Sequence, residues 1–185
     1  MAVELKRRRF TVDDYHRMAA AGILTADDRV ELLDGEIVEM APIGPRHASI
    51  TDRLARLFML RLGTRVIVRA GGPILLARQD SEPQPDITLL RPRADFYSRA
   101  HPEPRDVFLA VEVMDTTADR DRRVKLPLYG RAELAEIWLV DAVREAVEIY
   151  RRSVSGSAPE IMRGGERVTI AAFPDVTFAV DEIFG

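Results

Sequence analysis

Two short apolar stretches, each carrying one carboxylate, limit what this chain can fold into more than any other feature. Asp86 stands in the first, at residues 85–90, and Glu112 stands in the second, at residues 108–113. Both stretches are rich in Ile, Leu and Val and are bounded by turn residues, which predicts buried strands. A carboxylate in a buried strand is costly unless it is paired or bound to a cation. The two acids therefore indicate either structural pairing with arginine or a metal site.

The metal interpretation depends on the two strands being neighbours. If the proline-rich loop at residues 91–106 joins them as a hairpin, both carboxylates face one cleft. Carboxylates with few other ligands suit a hard cation that keeps several waters, such as Mg²⁺ or Mn²⁺, and the carbonyl oxygen of Val113 is a candidate further ligand. An ammonium nearby, for which Lys125 is the candidate, can orient an attacking water and stabilise developing negative charge. Together these groups fit phosphodiester hydrolysis.

Lysine is rare in this chain. All but two of the 27 basic side chains are arginine, and the exceptions are Lys6 and Lys125. Lysine can lose its proton in a protein, whereas arginine cannot. A lysine at position 125 is consistent with a site that needs a compact ammonium, although an ordinary exposed helix lysine explains the same observation.

Size and composition limit the class of protein. The 185 residues favour one domain, residues 1–185, with a substantial core. No apolar run is long enough to span a bilayer, and the first ten residues are too polar for a secretory signal. Cysteine is absent, which excludes disulfides and thiolate zinc sites and fits a cytoplasmic protein. The net charge of -3 gives no general attraction for nucleic acid, so a DNA-binding face must be local.

Local patterns predict the remaining elements. Thr11 begins a short helix with Asp14 as its capping-box partner, and Asp34-Gly35 between apolar runs indicates a hairpin. Apolar residues at three- and four-residue spacings predict a helix over residues 46–62. This interleaving of helices and strands predicts an α/β fold of the α+β type, with a central mixed sheet flanked by helices and preceded by an N-terminal helix and hairpin. Further strands are predicted near residues 65–69, 137–140, 146–150 and 167–170. A helix is predicted at residues 119–129, with Thr116 and Thr117 as its caps and with Pro127 shortening it. A flexible turn at residues 153–159 and an extended tail complete the prediction.

Several blocks of the sequence resemble one known family. They are SEPQPD at residues 81–86, VEV at 111–113, DRRVKLPLY at 121–129 and ELAEIWLVD at 133–141, accompanied by ELLDGE at 31–36 and by His47. Together they resemble the Uma-type family of restriction-endonuclease-like proteins in the PD-(D/E)XK nuclease superfamily. The likeness extends over most of the chain. It implies a restriction-endonuclease-like core in the order helix, three strands, helix and strand.

The resemblance also implies an activity, that of a Mg²⁺- or Mn²⁺-dependent endonuclease that hydrolyses phosphodiester bonds in DNA. Asp86 and Glu112, with the carbonyl of Val113, would hold the metal ion, and Lys125 would position the attacking water. In the plain motif of the superfamily the lysine lies two residues after the acid, where alternation along a strand puts both on one face. This chain has Met114 at that position, and the resemblance places the lysine on the next helix, at Lys125.

Three further polar residues are candidates for the same site. Glu31 in the hairpin is either a third acidic ligand or an outward-facing strand carboxylate. His47, at the start of a helix, either contacts a phosphate or a water, or bonds to the backbone. Glu82 is a candidate for orienting a metal ligand.

Two other functions are compatible with these residues. One is a catalytically inactive DNA- or protein-binding module on the same fold, and the other is a phosphodiesterase for small molecules. The chain has no glycine-rich phosphate loop with Gly-Lys-Ser/Thr, no His-Glu-x-x-His and no serine nucleophile elbow, which excludes those enzyme classes. A homodimer is expected, because cutting both DNA strands requires two sites and two-fold oligomers are common.

Overall fold

A computed structural model describes residues 8–25, 27–115, 120–151 and 158–185 of the chain. The helices are α1 (Val12–Ala20), α2 (Pro45–Leu62), α3 (Leu126–Arg131) and α4 (Val180–Phe184). The strands are β1 (Val30–Leu33), β2 (Glu36–Glu39), β3 (Ile67–Ala70), β4 (Ile87–Leu90), β5 (Val107–Met114), β6 (Glu136–Asp141), β7 (Ala146–Arg151), β8 (Glu160–Met162), β9 (Arg167–Ile170) and β10 (Phe173–Ala179). The predicted caps Thr116 and Thr117, the predicted helix start at Asp119 and most of the predicted turn at 153–159 lie outside the described residues.

A six-stranded mixed sheet forms the centre of the fold, in the order β3-β4-β5-β6-β7-β8. The β5–β6 pair is parallel and the other pairs are antiparallel. The prediction that β4 and β5 are neighbours joined by the loop at residues 91–106 is therefore confirmed. From α2 to β6 the chain follows the expected order of helix, three strands, helix and strand.

The apolar stripe of α2 explains how one face of the sheet is covered. Ile50, Leu54, Phe58 and Leu62 are buried, as their spacing predicts. The ring of Phe58 lies 5.9 Å from the ring of Trp138 on β6. Burying a side chain of this size stabilises the fold by about 1.5–3 kcal/mol. The opposite face of the sheet is covered by α3 and by parts of the loop between β4 and β5.

The N-terminal helix and hairpin form as their local chemistry predicts. Thr11 caps α1 through a reciprocal capping box with Asp14. Asp34 and Gly35 both have positive φ, +47° and +75°, and join β1 to β2. The backbone N–H of Gly35 donates to the carbonyl of Asp80, 2.9 Å away, which fastens the hairpin to the segment that leads into β4.

Two local predictions were wrong. The C-terminal segment is not an extended tail, because β9 and β10 pair as a hairpin and α4 packs near α2. Pro127 does not shorten its helix, because a π-helical turn at Asp121–Lys125 precedes it and the N–H of Leu126 donates to the carbonyl of Asp121. Pro127 therefore lies just after the π-helical turn, and the helix continues through it to Arg131. Among the described residues, no helix has both the length and the apolar character needed to cross a membrane.

Candidate active site

The two carboxylates predicted from the sequence meet at one end of the β4–β5 pair. Ile87 pairs with Val111, so the antiparallel register places Asp86 opposite Glu112 and on the same side. The backbone N–H of Val113 donates to Oδ2 of Asp86 at 2.7 Å, which fixes this carboxylate against β5. Both acids line a cavity of about 140 Å³.

Glu112 is buried inside the fold and is held by two donors. The hydroxyl of Tyr129 donates to Oε1 at 2.5 Å, and Nζ of Lys125 lies 3.2 Å from Oε1 and 3.3 Å from Oε2. Burial raises the pKa of Glu112 well above its usual value, and the negative charges of Asp86 and Asp121 act in the same direction. The positive charge of Lys125 opposes this rise. A cation placed here would therefore relieve an unfavourable negative charge.

Lys125 is a buried ammonium, and the alternative of an ordinary exposed helix lysine is wrong. Besides Glu112, its Nζ contacts Oε2 of Glu31 at 3.2 Å and donates to the carbonyl of Gln84 at 3.2 Å. These three residues can engage all three of its N–H donors. Burial lowers the pKa of Lys125, but the surrounding carboxylates, above all Glu112 and Glu31, outweigh burial and raise it. The side chain therefore stays protonated.

Glu31 belongs to this buried group, and the alternative of an outward-facing carboxylate is wrong. Its side chain is fully buried, and its Oε2 also accepts the backbone N–H of Gln84 at 3.0 Å. Its Oε1 lies 3.9 Å from Nη1 of Arg120 and has no hydrogen-bond partner in the described part of the chain. The β1–β2 hairpin thus brings a second carboxylate onto the ammonium of Lys125.

His47 lies in the first turn of α2 and lines the cavity. Its Nε2 is 3.0 Å from Oδ2 of Asp86, and its side chain is 14% exposed. The hydrogen bond to Asp86 raises the pKa of His47, and the charges of Asp86, Asp115 and Asp121 contribute to the rise. His47 therefore contacts an acidic side chain, and its other ring nitrogen, Nδ1, has no partner among the described residues.

The donor atoms around the cavity fit a hard cation. Asp115 and Asp121 line it together with Asp86 and Glu112, so oxygen is the prevailing ligand atom. Within the described ranges, no three acidic or histidine side chains are arranged so that they could hold a metal ion together. Two carboxylates plus waters is, however, the usual coordination of Mg²⁺. The residues present fit such an ion, and the carbonyl of Val113 stays a predicted ligand.

Sequence reasoning missed Tyr129 and misplaced Glu82. Tyr129 lies one helical turn after Lys125, so this spacing indicates that both side chains lie on the same face of the helix. Glu82 is instead 2.7 Å from Nε2 of His16 on α1, so its main contact lies outside the cavity. Asp121, four residues before Lys125, also lines the cavity.

The fold and the paired carboxylates define a protein of the restriction-endonuclease-like class. A family model, Uma2, described as "Putative restriction endonuclease", matches residues 12–181, and the chain belongs to this family. A protein from Synechocystis sp. (strain ATCC 27184 / PCC 6803 / Kazusa), described as "Uncharacterized protein sll1609", is 27% identical over 131 residues, which are 69% of this chain and 74% of the relative.

A solved structure shares the fold. It is the crystal structure of a "putative nuclease belonging to DUF820" from Anabaena variabilis ATCC 29413, which superposes with a TM-score of 0.73. The match covers 95% of this chain and 97% of that chain at 13% sequence identity. At this identity the similarity establishes the fold alone.

Proposed function

We propose that the protein is a divalent-metal-dependent endonuclease that hydrolyses phosphodiester bonds in DNA. The observation that carries the proposal is the meeting of Asp86 and Glu112 at one cavity beside a buried ammonium. Membership of the Uma2 family supports the reaction class. Mg²⁺ or Mn²⁺ is the proposed cofactor, with Asp86, Glu112 and the carbonyl of Val113 as its protein ligands.

Each proposed ligand has a partner that orients it. Within the described residues, the carboxylate of Asp86 is held through Oδ2, by Val113 N–H and His47, so Asp86 would have Oδ1 available for a cation. Tyr129 holds Oε1 of Glu112. A bound divalent ion supplies positive charge to the phosphate and lowers the pKa of a coordinated water. The start of α2 also lines the cavity, and the positive end of the helix dipole favours a phosphate there.

Lys125 and Glu31 act together in this proposal. The ammonium balances the charges of Glu31 and Glu112 and keeps both side chains in place. To orient the attacking water, Lys125 would exchange one of its three contacts for that water. Glu31 is then a positioning residue for Lys125, and His47 is the group proposed to contact the phosphate or the water.

Cleavage of plasmid DNA in Mg²⁺ or Mn²⁺ tests the proposal. Asp86→Asn and Glu112→Gln should each lower the rate by roughly 100-fold or more, because each removes a charge that stabilises the transition state through the ion. Glu136→Gln is the matched control, since Glu136 is also a buried strand carboxylate but bonds to Trp138 and Ala171. Equal cutting by the wild type and all three variants would show that the activity arises elsewhere.

A second candidate function is DNA binding without cleavage. The full engagement of the Lys125 ammonium favours it, as does a buried Met114 at the usual lysine position. In that case the wild type would retain DNA without cutting it at any divalent ion concentration. Turnover of a small phosphodiester without cleavage of DNA would instead identify a small-molecule phosphodiesterase.

Cutting both strands of a duplex also leads us to propose a homodimer. Light scattering coupled to size-exclusion chromatography tests it. A mass near 20.8 kDa would indicate a monomer. A monomer has one site and would cut only one strand of a duplex in each binding event.

A further inference from the structure

The loop between β4 and β5 presents an aromatic side chain to solvent. Phe96 is 67% exposed, although the loop elsewhere buries its other aromatic residue, Tyr97. Both residues have positive φ, +48° and +60°, a region that bulky residues rarely occupy. Backbone strain of this kind persists where the surrounding structure enforces it, and it is common at functional sites.

The contacts of this loop hold Phe96 outward. Tyr97 is buried, and its hydroxyl donates to the carbonyl of Arg91 at 2.9 Å. The guanidinium of Arg93 lies 4.0 Å from the centre of the Tyr97 ring and pairs with Asp95 at 2.5 Å. The backbone N–H of Phe96 donates to the carbonyl of Arg93 at 3.0 Å. These contacts fix the residues on both sides of Phe96, so its ring remains exposed while the loop around it is held in place.

The surroundings of Phe96 are basic, although the whole chain carries a net charge of -3. Arg69 on the edge strand β3 donates to the carbonyl of Phe96 at 3.2 Å. Arg93 and Arg105 pair with Asp95 and Glu103 of the same loop. The loop and β3 together carry an excess of two positive charges, because their five arginines outnumber three acids: Arg69, Arg91, Arg93, Arg99 and Arg105 against Asp95, Glu103 and Asp106. Arginines attract the phosphates of a nucleic acid, and an exposed aromatic ring beside them can stack on one of its bases.

We propose that Phe96 stacks on an unpaired base of a nucleic acid strand whose phosphates contact the surrounding arginines. Aromatic stacking combined with basic side chains is how proteins hold single-stranded nucleic acid. The inference extends the proposed function by naming the form of nucleic acid that this surface recognises.

Strand β3 connects the loop that carries Phe96 with the segment that carries Asp86. Arg69 pairs with Thr88 across β3 and β4. Two residues further along, the N–H of Gly71 donates to the carbonyl of Asp86 at 2.8 Å. Two residues of a strand span about 7 Å. The backbone of Arg69, whose side chain contacts Phe96, therefore lies about 7 Å along the chain from Gly71, which bonds to Asp86.

Fluorescence anisotropy with a labelled single-stranded DNA oligonucleotide tests the inference, in EDTA so that no cleavage occurs. Phe96→Asn removes the ring but keeps a residue that tolerates positive φ. It should bind the strand at least about five-fold more weakly, because stacking of one base contributes about 1–3 kcal/mol. Its thermal unfolding midpoint should match the wild type. Phe96→Trp should keep the affinity, and the fluorescence of the new indole should be quenched on binding.

Charge variants provide a second readout. Arg99→Gln should reduce the slope of log affinity against log salt concentration by about 0.7 for single strands. Arg163→Gln is the matched control, because Arg163 is also exposed but lies beyond β8, at the other edge of the sheet. It should leave the slope unchanged.

The outcomes separate this inference from the proposed function. If the wild type binds the strand and Phe96→Asn binds equally well, the inference is overturned while the nuclease proposal stands. Absence of wild-type binding to any single strand overturns it as well. Weaker binding by Phe96→Asn, together with a wild type that never cleaves, supports the inference and contradicts the proposed catalytic function.

Discussion

Lys125 carries the charge balance of the cavity. Its ammonium contacts Glu31 and Glu112, both buried, and the carbonyl of Gln84. A buried ion pair is weak evidence for stability, but removing one partner leaves an uncompensated charge. The contribution of Lys125 to charge balance can therefore be measured in the free energy of unfolding, independently of its proposed catalytic role.

Replacing Lys125 by methionine should lower the free energy of unfolding by about 3–5 kcal/mol, because two buried carboxylates lose their cation. Urea unfolding measures the loss. Adding Glu31→Gln to the same chain should restore part of it, since the two sites are in direct contact. Arg56→Met is the control, because it removes an exposed charge from α2. Its free energy of unfolding should stay within about 0.5 kcal/mol of the wild-type value. A Lys125→Met variant as stable as that control would contradict the charge-balance argument.

Tyr129→Phe removes only the hydroxyl that donates to Oε1 of Glu112. The buried carboxylate then loses one of its two donors and keeps Lys125, so the free energy of unfolding should fall by about 1–3 kcal/mol. Tyr150→Phe is the matched control, because its hydroxyl donates to Glu148 at 3.0 Å in a less buried place. Urea unfolding of both variants should show the larger loss at position 129, and equal losses would argue against a special role for this hydrogen bond.

Two elements far apart in the chain place the ammonium between its carboxylates. The β1–β2 hairpin brings Glu31 inward, and the π-helical turn at Asp121–Lys125 brings Lys125 to meet it. π-Helical turns are rare and occur frequently at functional sites. The hairpin depends on the conformation of Gly35 and on its contact with the segment that precedes α1.

Gly35→Ala should disturb the hairpin more than an ordinary glycine replacement. A Cβ at this position would lie 2.7 Å from Cβ of Arg9 and 2.9 Å from the carbonyl of Phe10, and the φ of +75° adds strain. Gly22 has a similar φ of +71° but open space around its Cβ position. We expect Gly22→Ala to lower the free energy of unfolding by about 1 kcal/mol, and Gly35→Ala to lower it by about 1–3 kcal/mol more than that. Thermal unfolding compares the two variants, and equal midpoints would mean that the hairpin adjusts freely.

Ligand binding links the cavity to the stability of the entire fold. Asp86 comes from the segment leading into β4, Glu112 from β5, and Glu31 from a separate sheet. Unfolding separates these groups, so a cation that binds Asp86 and Glu112 in the folded state alone raises the free energy of unfolding. The proposed metal site is therefore testable without any substrate.

Mn²⁺ at 100 times its dissociation constant should stabilise the wild type by about 2.7 kcal/mol. For a chain of this size that corresponds to a rise of roughly 5–10 °C in the unfolding midpoint. Asp86→Asn should lose most of the rise, whereas Glu136→Gln should keep it, because Glu136 bonds elsewhere. Differential scanning calorimetry measures the midpoints, and an equal rise in all three proteins would place the ion outside the cavity.

Much of the fold follows from local patterns in the sequence. The α2 stripe, the Asp34-Gly35 turn and the Thr11 capping box depend on neighbours in the chain, so spacing and turn chemistry are enough to identify them. Glu112 lies in a buried strand as the apolar run around it predicts, whereas the same prediction was wrong for Asp86, which precedes β4 and is 23% exposed. The family resemblance supplied the order of the core elements.

The partners of the buried charges could not be predicted from such patterns. Glu31 and Lys125 are far apart in the sequence, and their contact depends on how the hairpin docks and on a π-helical turn that no spacing predicts. The same holds for Glu82, which pairs with His16 across the fold. The amino-acid sequence determined which residues are acidic or basic and which are buried. Only the tertiary structure decided which charges pair, because electrostatic energy depends on the separation of the charges and on the surrounding dielectric, and packing sets both.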